Sequence, residues 1–574
     1  MHLLLSILTA LTVLSVPKDK VGTPVLFGSR IVDVNRTHGK VFAPGQRNPR
    51  PQVMLFQQRD SCLVLVPEFR PRGRRRGPEP VVFRIVDETA DAFCIDLEPY
   101  FSTYPEEISA IPPRMLPGPA VEHSLACPAT SPAYLQVNGR YRYMDGLEVT
   151  VACYFLWLRE KPLPPIDLDI TKIGYNFVEG RHPEGRFQRW DLTGGRKLDF
   201  YVDKAFPQEW YPYIQEGIED WNKAFQAIGL GDVLAVHPEP EGLDTTSPLV
   251  NMVRYMDVEE SNAKGDVLLD PRSGEILQGD ILWWKNVVDL IKGWRYVQTG
   301  VADPAARQLD LPMDLLGPMI RHAVCHEMGH VLGLSHNMGA SWAYPADSLR
   351  NPSFTQKYGT SASVMDYARY NHLATAKDVW AGVELLPPRL GPYDYYAIAC
   401  GYGPDPHLAP GPYCYFAPMI TAAIPPDPSA QPESLGDDLL RSSRTGVDNC
   451  RALLTLDGLT PDREALLKKY YYRYLSLALS NIGGVTQGVP VTRKVRRQTL
   501  AFVTGALAQV PTQLKDPVQE KIISDELVGN FLPERLLQTV GQKELDDYYK
   551  HLRRLQKKYP QLPLRPSEQW KYND

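Results

Sequence analysis

The stretch HEMGHVLGLSH, residues 326–336, holds three histidines and one glutamate in eleven positions, with Gly333 between the second and third histidines. Read outward, MIRHAVCHEMGHVLG is a helix beginning near Pro318. His326 and His330 are four residues apart, so they project from one helix face about a turn apart. Two imidazoles so placed reach one tetrahedral zinc ion at about 2.0–2.1 Å. Glu327 is rotated about 100° from His326, which puts it beside the metal without binding it. There it is placed to take a proton from a zinc-bound water. A helix running on past Gly333 would carry His336 to the wrong side. Glycine adopts the left-handed C-cap conformation, which folds His336 back onto the ion. Three neutral imidazoles leave a fourth position open, the mark of a catalytic rather than a structural zinc.

A bare H-E-x-x-H arises by chance in roughly one chain of this length per hundred, and adding Gly333 and His336 lowers that to the order of one in fifty thousand. Chance therefore does not account for the cluster. His322 lies one turn before His326 on the same face, but Ala323 follows it where the base belongs and no glycine bend serves that register. It reads as a neighbour of the site and not a ligand. Cys325 lies off the metal-facing stripe and reads as a core thiol. Were His336 not the third ligand, Glu384 is one candidate for it.

At 574 residues the chain is too long for one core, so two to four domains are expected. A hydrophobic share of 43% and a charged share of 22% are those of a globular protein. A net charge of −5 gives no case for nucleic acid or an anionic membrane as partner. None of the eight cysteines forms a C-x-x-C pair, which disfavours a cysteine zinc knuckle. Cys400 and Cys414 are the best local candidates for a disulfide, although spacing alone does not decide it. The apolar run Leu3 to Val16 has the length of a signal-peptide core, yet lacks a preceding Lys or Arg. It reads equally as a buried strand. No other stretch has the length and apolarity of a transmembrane helix.

Residues 1–165 read as a β-rich domain. PVLFGSRIVDV, PQVMLFQQ, SCLVLVPEF, EPVVFRIVD and LEVTVACYFLWL are short β-branched and aromatic runs bounded by turn residues. RPRGRRRG between two of them reads as a solvated hairpin loop more readily than as an anion site. KPLPPIDLD, Lys161 to Asp169, is a proline-rich linker. Residues 166–405 form the next unit: a strand in RKLDFYVDKAFP, one helix through QEWYPYIQEGIEDWNKAFQAIGLGD, a strand in LVNMVRYMDV, and a hairpin around Asp270-Pro271-Arg272-Ser273-Gly274. Residues 406–574 are mainly helical, most clearly in DREALLKKYYYRYLSLALSNIGGV and TRKVRRQTLAFVTGALAQV, with a charged amphipathic tail from Asp525.

The motif resembles the signature of the metzincins, H-E-x-x-H-x-x-G-x-x-H followed by a methionine turn. SVMDY, Ser363 to Tyr367, resembles that turn, with Met365 twenty-nine residues after His336. The resemblance implies that Met365 floors the histidines without binding metal, and that Tyr367 binds the zinc or the tetrahedral intermediate; a packed core tyrosine is the alternative reading of Tyr367. FYVDKAFPQEWYPYIQEGIEDWNKAF, DPRSGEILQGDI, SVMDYARYN, GPYDYYAIACGY and NIGGV extend the likeness to large bacterial zinc-dependent metzincin-like metalloproteases. SVPKDKVGTPVLFGSRI resembles their N-terminal module and supports the strand reading of the apolar start. Such proteins usually carry more sequence ahead of this point and are usually exported: secreted, periplasmic or at the cell surface.

The likeness implies an α+β zincin catalytic domain, with a mixed sheet and two long helices in an upper subdomain and a lower subdomain after the glycine turn. DVLLDPRSGEILQGDI then lies by the cleft, where one strand pairs an extended peptide. Trp283 and Trp284 are candidates for the cleft wall or for ordinary core. A latency cysteine at Cys127 is disfavoured by its surroundings. The expected function is a zinc endopeptidase acting on peptide or protein substrates. The alternatives are a zinc hydrolase of a non-peptide amide or ester, and a zinc-binding interaction protein without turnover. The intact Glu327 argues against the last.

Overall fold

The computed structural model describes residues 12–508, apart from 36–42, 69–78, 112, 129–130, 179–185, 309, 387–389, 419–426, 480, 482–484 and 487–488, together with residues 546, 550 and 557. The arginine run at 70–76 and the charged tail lie outside the described residues, the latter but for those last three positions. Nine strands run through the N-terminal region: β1 (Val13–Pro17), β2 (Pro24–Val34), β3 (Gln52–Arg59), β4 (Cys62–Pro67), β5 (Val81–Glu88), β6 (Ala92–Asp96), β7 (Glu122–Ala126), β8 (Tyr134–Arg142) and β9 (Glu148–Trp157). They form one antiparallel sheet in the order β1-β6-β5-β4-β3-β2-β9-β8-β7. Leu14, Phe56, Leu63, Tyr141 and Val151, from across that order, share one buried cluster, so the sheet curls around a common core. The short helix α1 (Glu98–Phe101) adds Phe101 to it. The end of the apolar start is thus a strand: Val13–Pro17 pairs with Ala92–Asp96.

A second sheet follows, with strands β10 (Arg189–Trp190), β11 (Leu198–Val202), β12 (Leu234–Pro238), β13 (Asn251–Met256), β14 (Ala263–Asp270) and β15 (Glu275–Trp284). Its order is β10-β15-β13-β11-β12, parallel throughout, with β14 antiparallel on the other side of β15. Helices α2 (Tyr211–Glu219) and α3 (Asn222–Ala227) supply the crossover that a parallel β11–β12 pair requires. The single helix expected there breaks at Asp220–Trp221, where Trp221 turns into the core and its Nε1 donates to the Cys325 carbonyl at 2.9 Å. After α4 (Val287–Thr299) comes the histidine helix α5 (Met313–Val331). It begins five residues before the expected Pro318, which sits inside it. The preceding Gly317 has no Cβ to clash with the proline ring, and burial of Leu316, Met319 and Ile320 fixes the early turns. Helices α6 (Pro352–Tyr358), α7 (Ala376–Trp380) and α8 (Pro392–Tyr402) lead to the helical C-terminal region, α9 (Leu439–Leu454), α10 (Pro461–Leu479) and α11 (Arg493–Ala508).

Burial decides between the two readings of the tryptophans, and the disulfide expectation is corrected. Trp283 is 0% and Trp284 6% exposed, each within a buried apolar cluster, so both are core and not cleft wall. Cys400 and Cys414 form no disulfide, and the Cys414 thiol instead donates to the Pro392 carbonyl at 3.4 Å.

The two sheets meet through a buried ionic cluster. Asp280 of β15 receives Arg30 of β2 at 3.1 Å, Arg254 of β13 at 3.0 Å and Arg47 at 3.7 Å. Arg47 also pairs with Asp266 of β14 at 2.9 Å. Burial pushes the Asp280 carboxyl upward, but Arg254, Arg30 and Arg47 together outweigh it and hold it below the ordinary carboxylate range. Removing Asp280 takes from Arg30 and Arg254 the buried carboxylate they share. Asp280→Ala is therefore expected to cost about 3–5 kcal/mol in denaturant unfolding. A loss under about 1 kcal/mol, the value of an exposed pair, would mean that water already screens the cluster.

Candidate metal centre

Helix α5 delivers His326, Glu327 and His330, and ends at Val331. Gly333 then takes φ 95°, and a Cβ there would stand 1.9 Å from the Gln188 carbonyl oxygen. Both facts restrict this position to glycine. The reversal brings His336 back, so that one ring nitrogen of each histidine lies within 4.8 Å of the other two. The turn expected from the sequence is present, and it gathers the three histidines. Among the described residues no other such group of His, Cys, Asp or Glu occurs.

The donor set fits zinc. His326 Nδ1 lies 2.7 Å from the Val364 carbonyl and His330 Nδ1 lies 2.8 Å from the Leu334 carbonyl. A carbonyl only accepts, so Nδ1 carries the proton in both rings and Nε2 keeps its lone pair. The Nε2 atoms of His330 and His336 are 3.2 Å apart. Tetrahedral bonds of about 2.0–2.1 Å require nearly that separation. Burial, first of all, holds the three imidazoles below their ordinary range, His336 down to about 3. Neutral rings are the form a metal takes.

Glu327 is buried beside them, with one carboxylate oxygen accepting from the Gly265 N–H of β14 at 2.8 Å. Burial pushes its carboxyl up to about 7, against the pull of that N–H and of Arg369 and Lys264. The Tyr367 ring lies 4.6 Å from that of His336 and 5.6 Å from that of His326. Met365 is fully buried, and its sulfur stands 2.2 Å from where a Cβ on Gly329 would be. Its carbonyl accepts from the N–H of Asn337 at 3.0 Å, immediately after His336. Met365 thus packs between the last turn of α5 and the returning chain.

Several neighbours were not read from the sequence. Asp394, in the first turn of α8, accepts from Ser363 Oγ at 2.6 Å, from Val364 N–H at 2.8 Å and from Gly391 N–H at 2.8 Å. It fixes the turn whose Val364 carbonyl orients His326. Pro at the first and Asp at the third helical position in GPYD were a legible helix start. Their partner was not legible. Arg369 lies 3.1 Å from the Trp294 ring centre, 4.4 Å from that of Tyr367 and 3.8 Å from Glu433. A cavity of about 140 Å³ opens beside His326 and Glu327, walled by Leu290, Ile291 and Trp294. His322 lies on its wall and outside the ligand group. Cys325 is buried core. Glu384 lines a different cavity and is not brought to the histidines. Cys127 packs against the core of the first sheet, away from the ligand group.

Residues 308–411 match the family model described as Met-zincin, which encloses the three histidines, Met365 and Tyr367. The chain thus carries a Met-zincin segment, and its mixed α and β architecture agrees with a metzincin-like fold. The match and the histidine cluster together point to a zinc site and to zinc metalloprotease activity. No curated protein and no solved structure matches the chain.

Two substitutions test the centre by metal analysis alone. The parent should hold one zinc per chain, and His336→Ala should hold markedly less. Full zinc in that variant would move the third ligand elsewhere. Gly333→Ala should lose zinc as well, because a methyl group at 1.9 Å from the Gln188 carbonyl forces the turn open.

Proposed function

We propose that the protein is a zinc-dependent endopeptidase, with His326, His330 and His336 as metal ligands and Glu327 as general base and acid. One observation carries the reading: a buried carboxylate stands next to three imidazole donors and is anchored by Gly265 on the outermost strand of a sheet. Zinc, when bound, supplies a Lewis acid and lowers the pKa of a water in its open position towards neutrality. Glu327 removes a proton from the attacking water as its oxygen joins the scissile carbonyl carbon. It returns that proton to the nitrogen as the C–N bond breaks. Tyr367, packed on two of the imidazoles, donates its hydroxyl to the oxygen that gains charge. Met365 floors the ligands.

A peptide is favoured as substrate because β14 pairs only with β15 among the described strands. Its outer edge offers main-chain partners to an extended chain. The division near residues 165 and 405 belongs to this proposal, as does export to the periplasm, cell surface or medium. Among the described residues no helix is long and apolar enough to cross a membrane.

The test is Glu327→Ala, which removes the proton carrier and none of the imidazoles. The variant is expected to fold, to keep its zinc, and to cleave casein ~10²–10⁴-fold more slowly than the parent. Equal rates would remove Glu327 as the base. A fully zinc-loaded parent that cleaves no protein or peptide would favour a non-catalytic role.

A further inference from the structure

We propose that Arg369 is a positioning residue for Tyr367: its guanidinium, gripped by Trp294 and Glu433, fixes the phenol over the imidazoles and keeps a positive charge behind it as the substrate oxygen gains charge. The inference rests on the peptidase reading and goes beyond it, because it gives the C-terminal helical region a part in the reaction. The guanidinium carbon stands 4.4 Å from the Tyr367 ring centre and 3.1 Å from that of Trp294. Both distances lie inside the reach of a cation–π contact, about 6 Å. Trp294 belongs to α4 and packs against the core of the second sheet and against the core of the C-terminal helices. On its other side the Tyr367 ring meets His336 and His326.

Glu433 completes the grip. Its carboxylate is 3.8 Å from Arg369 Nε, 3.9 Å from Arg473 Nε and 3.4 Å from the Tyr470 hydroxyl, the last two on α10. Its backbone N–H donates to the Tyr367 carbonyl at 3.1 Å. Glu433 is 8% exposed and takes φ 67°, in the left-handed region that side chains other than glycine seldom adopt. Such a conformation persists only where its surroundings over-determine it, and it gathers at functional sites. Here it lets one residue hold Tyr367 by the main chain and Arg369 by charge. Arg369 Nε is buried without a hydrogen bond, so the cation is attracted to Glu433 and not locked to it. Its charge reaches the site. Burial raises Tyr367 and Glu327 and lowers His336, and the Arg369 charge opposes the first two shifts and adds to the third. A cation placed so strengthens the Tyr367 hydroxyl as a donor to an oxygen that is becoming negative.

The experiment uses full-length, zinc-loaded protein: the parent, Arg369→Met, Arg369→Lys, Tyr367→Phe, and Tyr367→Phe combined with Arg369→Met. Each is measured for zinc content, for kcat and KM on one peptide taken from a casein site that the parent cleaves, and for the Kd of the matching phosphinic pseudopeptide, whose tetrahedral oxygens imitate the addition stage. Arg369→Met should keep its zinc and its KM, lose about tenfold in kcat and bind the phosphinate about tenfold more weakly. Arg369→Lys keeps the charge without the planar stack and should recover part of the loss. On the Tyr367→Phe background, Arg369→Met should cost less than about twofold, because the hydroxyl through which it acts is gone. Should Arg369→Met fail to fold, Arg369→Lys takes its place in the same cycle. Equal losses with and without the hydroxyl, unchanged kcat in Arg369→Met, or a loss that tracks missing zinc would overturn the proposal and leave the peptidase reading standing. A zinc-loaded parent that cleaves no peptide would overturn both.

Discussion

A side chain at Gly333 would overlap the Gln188 carbonyl, and the backbone there takes a φ of 95° that few residues other than glycine tolerate. The geometry of the centre follows from this constraint. Helix α5 can present His326 and His330 on one face, but no helix can bring a third donor six residues further on to the same point. The reversal at Gly333 does so, and it also turns the Leu334 carbonyl onto His330 Nδ1. One backbone turn therefore positions the third donor and sets the tautomer of the second.

The remaining supports come from distant parts of the chain. Asp394 holds the Ser363–Val364 turn that orients His326. Met365 fills the space left by Gly329. From the other side, Asp280 and its three arginines press the nine-stranded sheet onto β14 and β15, and β14 carries the N–H that anchors Glu327. The N-terminal region is thus coupled to Glu327 through two hairpin strands.

What was legible in the sequence was local. The i, i+4 histidines, the adjacent glutamate, Gly333 and the S-x-M-x-Y turn lie within short windows, and their spacing carries the geometry. Five N-terminal strands were visible because they are β-branched and aromatic runs between turns. The strand EHSLA was not, because it is a largely polar edge strand with no apolar stripe. Helix α9 was missed for a related reason: LLRSSRTGVDNCRALL is rich in weak helix formers, and packing against α10 overrides its propensity. The partners of Asp394, Arg369 and Arg47 could not be read. Each acts on residues tens to hundreds of positions away, and a single sequence holds no trace of those pairings. Trp283 and Trp284 had two readings, and only the burial of both faces of β15 decides between them.

The central claim is a three-imidazole zinc centre with an open position. Zinc K-edge X-ray absorption on the metal-loaded protein tests it most directly. The account predicts a first shell of nitrogen and oxygen scatterers at about 2.0–2.1 Å, with the outer-shell signature of three imidazoles and one or two light atoms completing the shell. A sulfur scatterer near 2.3 Å, or a shell with fewer than three imidazoles, would contradict it.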